Sequence, residues 1–183
     1  HKLYKELVNF CSLDLSAFYF DIRKDTLYCD ALNSKKRHIS VNLLGIILDL
    51  LLKWFAPILS FTTEEIFQII NENKKSSIHL ENFPKIPDSW QNEKLFTKWE
   101  KFKKIKKVVN AAIEIKRSNK DIGSSLEADI QVYLDEEYLK ITTDIDLPEP
   151  FITSKAESKK MINAPNLFKL VELLPEVRCK WHS

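Results

Sequence analysis

Near residue 120 the hydrophobic period of this chain changes, and that change restricts the fold more than any other feature. Up to Asn119, apolar residues recur every three or four positions, the spacing of one helical face. From Leu126 they alternate: Leu126, Ala128, Ile130, Val132 and Leu134 interleave with Glu127, Asp129, Gln131, Tyr133 and Asp135. A period of two marks a half-buried strand. The pattern therefore predicts a mainly α chain, an antiparallel helical bundle over residues 1–121, with a small α+β appendage over 122–183. A short helix over 136–143 and a strand over 151–156 would complete the appendage.

Within the helical part, Leu3, Leu7 and Phe10 predict a first helix ending near Cys11. The stretch SLDLS offers caps before a second helix over 17–28. Ile39, Leu43, Ile46, Leu50 and Trp54 step by four, three, four and four, and Pro57 marks an end. This third helix is expected to be buried. In FTTEEIF, Thr62 and Glu65 have the spacing of a capping box and Phe61 with Ile66 that of a hydrophobic staple. The proline-bearing SSIHLENFPKIPDSW reads as a surface loop. A long helix follows over 92–119, with Leu95, Trp99, Phe102, Val109 and Ile113 on one face and Lys103, Lys104 and Lys107 on the other.

Two glycines in 183 residues, Gly45 and Gly123, disfavour turn-dense β architectures. They also exclude a Walker loop and a dinucleotide fingerprint, which need more. Gly123 is expected at a backbone conformation other residues resist, with Ser124 and Ser125 satisfying backbone groups beside it. Cys11, Cys29 and Cys179 are odd in number and far apart, as free thiols of a reducing cytosol would be. The residues His1–Glu6 lack the apolar stretch of a signal peptide. The apolar run from Leu43 to Leu59 is interrupted by Asp49, Lys53 and Pro57, as in a core helix rather than a membrane span.

No histidine clusters with a Ser or Cys in a nucleophilic arrangement, and Glu64-Glu65 and Glu136-Glu137 read as helix-start charges, so catalysis by this chain is not expected. Cys179 and His182 have C-x-x-H spacing, half of a tetrahedral zinc site; an unligated cysteine is the simpler reading. Net charge is only +2, but bases cluster. The runs are Lys35-Lys36-Arg37; Lys101, Lys103, Lys104, Lys106 and Lys107; and Lys116, Arg117 and Lys120. Such runs either solvate a helix face or track phosphates, and pattern alone leaves both open. Tyr19, Tyr28 and Trp90 are available to stack on bases or to pack in the core.

Four segments carry a resemblance. DLSAFYFDIRKDTLY, LLKWFAPILSFTTEEIF, SSIHLENFP and IEIKRSNKDIGSSLEADIQVY lie in order from Asp14 to Tyr133. Together they resemble the anticodon-binding region of isoleucyl-tRNA synthetases, class I enzymes. The first and last favour the isoleucyl over the valyl and leucyl enzymes, with valyl the alternative. The resemblance implies a helical bundle that lies against the anticodon stem and loop of an isoleucine-accepting tRNA, within a longer, cytoplasmic, monomeric chain. That chain would join isoleucine to tRNA using ATP and magnesium in a catalytic part whose motifs are absent here. Bacterial members often end in a zinc module opening with C-x-x-C-W; RCKWHS supplies one Cys, so zinc is left open and no cofactor is expected in this stretch.

The resemblance makes Arg23, Lys24, Lys35, Lys36, Arg37, Lys103, Lys104, Lys107, Arg117 and Lys120 candidate tRNA contacts. Phe18 and Phe20 would seal the bend between the first two helices, with Asp21, Arg23, Lys24 and Asp25 networked at the rim. The competing classes are a purely structural bundle and a domain that binds another protein through an apolar strip.

Overall fold

Lys2 to Tyr28 form one unbroken helical stretch: α1 (Lys2–Asn9), a π-helical segment (Phe10–Phe20) and α2 (Asp21–Tyr28). The expected break at SLDLS does not occur, because Asn9 and Phe20 both hold right-handed helical dihedrals at the junctions. The wider π turn carries the chain through that stretch instead. Leu7, Leu15 and Thr26 are its buried residues, whereas Phe18 is half-buried and Phe20 exposed, so the two phenylalanines seal no bend.

The structure is a computed structural model that describes residues 2–72, 76–161, 168–169 and 177–181, the last two stretches as backbone. It divides into two compact units, His1–Gln91 and Asn92–Ser183. The expected division after residue 121 thus gives way to one at the start of the long helix.

In the first unit, Ser34 caps α3 (Lys35–Phe55), its hydroxyl accepting the Arg37 amide at 3.4 Å. α4 (Ser60–Ile70) begins two residues before the expected capping box, so Leu59, with no side-chain cap, takes the N-cap position. Phe61, 93% exposed, therefore staples nothing. Leu52, Ala56, Phe67 and Ile78 form the core where α3, α4 and a 3-10 turn (Ile78–Leu80) meet. By length and composition alone α3 is apolar enough to cross a membrane. It is not the buried helix expected: only Ser40 and Leu52 of its residues are buried, and Ile39 is 58% exposed. Its apolar residues surround the helix, while α2, α4 and the 3-10 turn cover only part of it.

In the second unit, Asn92 caps α5 (Glu93–Ser118) by accepting the Leu95 amide at 2.9 Å. Phe102, Ile105, Val108, Val109, Ala112 and Ile113 are its buried apolar face. Phe102 stacks on Phe151 at 5.4 Å and meets Trp99 edge-on. The chain continues through β1 (Asp129–Leu134), α6 (Glu136–Thr142), α7 (Pro148–Phe151), β2 (Lys155–Lys160), β3 (Phe168–Lys169) and β4 (Val177–Trp181). The sheet order is β2-β1-β4-β3: β1 runs parallel to β2 from Asp129↔Lys155 to Leu134↔Lys160, and antiparallel to β4. Ile130, Val132 and Leu134 on β1 are fully buried, as their alternation requires. The alternation begins before the strand, however: Ser125–Glu127 is a 3-10 turn capped by Ser124. The expected strand over 151–156 is displaced to 155–160 by the short helix α7.

Candidate nucleic-acid interface

The ten candidate cations fall five to a unit. In the first unit they lie on α2 and the opening turn of α3, two elements in contact. Lys24 pairs with Asp21 of its own helix at 3.2 Å, and Arg23 is half-buried. Arg37 reaches back from α3, donating from Nη1 to the Asp30 carbonyl at 3.0 Å, while Ser34 donates to the Asp30 carboxylate at 3.1 Å. The connection between α2 and α3 is thereby fixed. Lys35 and Lys36 are exposed beside it. Three cations in the first turn of a helix oppose its dipole, which favours anions there. Helix stability does not account for them; an anion seated at that turn would.

In the second unit the basic run on α5 separates into distinct roles. Lys101 bonds to Glu137, and Lys98 to Asp144 at 2.6 and 2.7 Å, both tying α5 to the α6 region. Lys103 pairs with Glu100 at 3.0 Å, and Lys106 is buried. Lys104 and Lys107 remain exposed and form no ion pair with any described residue. At 100° per residue they project from one side of α5, with Lys103 beside Lys107. Arg117 lies on that side too, about 21 Å further along the axis at 1.5 Å per residue, and pairs with Glu114 at 2.7 Å.

Lys120 follows directly. The Lys120 amide bonds to the Arg117 carbonyl and the Asp121 amide to the Lys116 carbonyl, both at 3.0 Å, the paired bonds of a Schellman ending. Lys120 itself holds φ 61°, the left-handed conformation expected of Gly123. Gly123 has no positive φ; a Cβ there would meet the Glu127 carboxylate at 3.3 Å, and its amide donates to that carboxylate at 2.9 Å. Ser124 accepts the Leu126 amide at 3.3 Å, as expected of it.

Of the stacking candidates, Tyr28 is 83% exposed and Trp90 exposed, while Tyr19 is half-buried against Phe20. Cys179 lies in β4, and its side chain and His182 lie outside what the structure describes. Among the described residues, no three His, Cys, Asp or Glu side chains gather to hold a metal.

Two groups escape the sequence reading. Lys98 and Lys101 are structural bases, a role set by acids about 40 residues away. Glu64 is no mere helix-start charge: it accepts Gln68 at 2.7 Å, the Ser77 hydroxyl at 2.8 Å and the Ile78 amide at 2.9 Å. These bonds, from Gln68 first and Ser77 next, hold its carboxyl below the usual range. Its pairing with Glu65 in sequence gave no sign of this.

Residues 1–134 match the family model described as anticodon-binding domain of tRNA ligase. Among curated proteins, the isoleucine–tRNA ligase of Pelagibacter ubique is 57% identical over 156 residues, 85% of this chain and 17% of that protein. Those of Agrobacterium fabrum and Bradyrhizobium diazoefficiens are 46% and 42% identical over 84% and 90% of this chain, each match covering 16% of the relative. The chain thus spans about a sixth of the length of these relatives.

Proposed function

Because the chain belongs to the anticodon-binding domain family of tRNA ligases, we propose that it holds the anticodon stem and loop of an isoleucine-accepting tRNA. On this reading it is one part of a longer chain, whose catalytic part joins isoleucine to that tRNA with ATP and magnesium. The resemblance of residues 14–133 and the relatives' names support the isoleucine assignment.

The observation that carries the RNA contact is Lys104 and Lys107, exposed and without an ion pair to any described residue, on a helix whose neighbouring bases Lys98, Lys101 and Lys103 are all engaged by carboxylates. An ammonium held by a carboxylate releases fewer counterions to RNA than one in water. Lys104 and Lys107 are therefore the principal phosphate contacts of α5, with Lys103, Arg117 and Lys120 adding charge along the same helix. Lys35, Lys36 and Arg37, with Arg23 and Lys24, form the second contact, since their turn of α3 already favours an anion.

Substituting glutamine for Lys104 and Lys107 tests this. The variant should bind an anticodon stem-loop more weakly, with the slope of log affinity against log salt reduced by about 1 per lysine lost. Unchanged affinity and slope would remove α5 from the interface.

A further inference from the structure

A cleft in the first unit is built for a ligand the cations do not address. The end of α3 and the segment after α4 enclose about 240 Å³ between Lys53, Ala56, Pro57, Ile78, His79, Glu81 and Phe83. Its floor is fixed: Ile78 and Ala56 are buried in the core with Leu52 and Phe67. Its wall is held by Glu64, through the Ser77 hydroxyl and Ile78 amide, and by Gln68, which donates to the Ser76 carbonyl at 2.6 Å. The cleft is therefore formed before anything enters it.

Its rim is chemically mixed. Phe83 is 63% exposed at the edge of the cleft, a large apolar surface left in water. Lys53 bonds to Asp49 at 2.9 Å, and its ammonium lies 4.0 Å from the Glu81 carboxylate. A donor and an acceptor thus stand side by side above an apolar floor, next to an aromatic ring. The volume is below the 300–1,000 Å³ of pockets for drug-sized ligands, so it suits one ring system rather than a whole cofactor.

We propose that this cleft receives a single unpaired nucleobase from the RNA loop, stacked on Phe83, with its polar edge between Lys53 and Glu81. A base offers a flat apolar face together with adjacent acceptors and donors, which is what the rim is complementary to. The inference rests on the RNA-binding reading above: the cations grip phosphates, and the cleft takes a base from the same loop.

The test compares the 183-residue chain with its Phe83→Ala and Phe83→Trp variants on an anticodon stem-loop, and on the same RNA made abasic at each loop position in turn. Phe83→Ala should weaken binding about tenfold with the salt slope unchanged, and Phe83→Trp should retain it. At one loop position the abasic RNA should bind wild type and Phe83→Ala equally. Equal binding of intact RNA by wild type and Phe83→Ala would overturn the cleft's role while leaving the phosphate-gripping reading intact. So would a Phe83→Ala loss that persists with every abasic RNA. No binding of any stem-loop by wild type, or a slope unmoved by removal of Lys104 and Lys107, would count against the reading on which it rests. Melting temperature, which an exposed side chain should barely move, checks that the variants fold.

Discussion

Lys120 and Gly123 exchange the roles their types suggest. A left-handed residue is required where α5 ends, two positions past Ser118, and the chain has Lys120 there. An L-residue in that conformation costs about 1 kcal/mol relative to glycine. Lys120→Gly should therefore raise stability by roughly 0.5–1 kcal/mol, less what glycine's freer unfolded chain takes back. If Lys120 contacts RNA, the same variant should bind a stem-loop more weakly while melting higher. A calorimetric scan and a binding titration on one sample read both. A stability that falls would refute the strain argument. The sequence could not place this residue: the demand for positive φ is made by the helix end, whose position depends on packing. Gly123 is needed for a different reason, the close approach of Glu127, four residues on, which composition does not announce.

At the scale of elements, periodicity located α5 and β1 to within a few residues, because buried apolar side chains enforce it: Phe102, Val109, Ile113, Ile130 and Val132 are all buried as the pattern requires. β2 was legible only loosely. Its sequence KAESKK has almost no apolar signal, and it is a strand because β1 pairs with it along its length. What joins these elements at the surface is a set of ion pairs: Lys98 with Asp144, Lys101 with Glu137, and Lys160 with Glu136 at 2.5 Å. Hydrogen bonds from those lysines hold Asp144, Glu137 and Glu136 below the ordinary values of 3.8, 4.5 and 4.5. A carboxylate whose folded value lies below its unfolded one stabilises the fold above the unfolded value, and that contribution is lost as pH falls through the folded value. Conversely, Lys101 and Lys160 are raised above 10.5 by Glu137 and Glu136, so their contribution is present below that value and lost as pH rises through the folded one. Melting temperature should thus fall on acidification through the carboxylate range, and a Lys98→Met, Lys101→Met variant should fall less steeply. Parallel acid profiles for the two proteins would show that these pairs contribute nothing.

For the whole molecule, the chain reads as a mainly α domain with a small sheet and is a member of the anticodon-binding family. The clustering of bases on α2, α3 and α5 was legible in the sequence; the division of labour among them was not. Lys101 and Lys104 look alike in sequence, yet one meets Glu137 and the other meets water. In the same way, the spacing of Ile39, Leu43 and Ile46 correctly marks a helix but says nothing of whether a partner covers it, and all three are exposed. The cleft beside Phe83 was invisible for a third reason, since Lys53 and Glu81 are 28 positions apart and become neighbours only when Glu64 pins the intervening segment. The central claim is that this assembly of unengaged cations and a base-sized cleft binds the anticodon arm of a tRNA. It is tested most directly by titrating the chain with an isoleucine anticodon stem-loop and with a scrambled loop on the same stem, across a range of salt. The account predicts binding to both that weakens linearly in log salt, and tighter binding to the true loop. No binding of either RNA at low salt would contradict it.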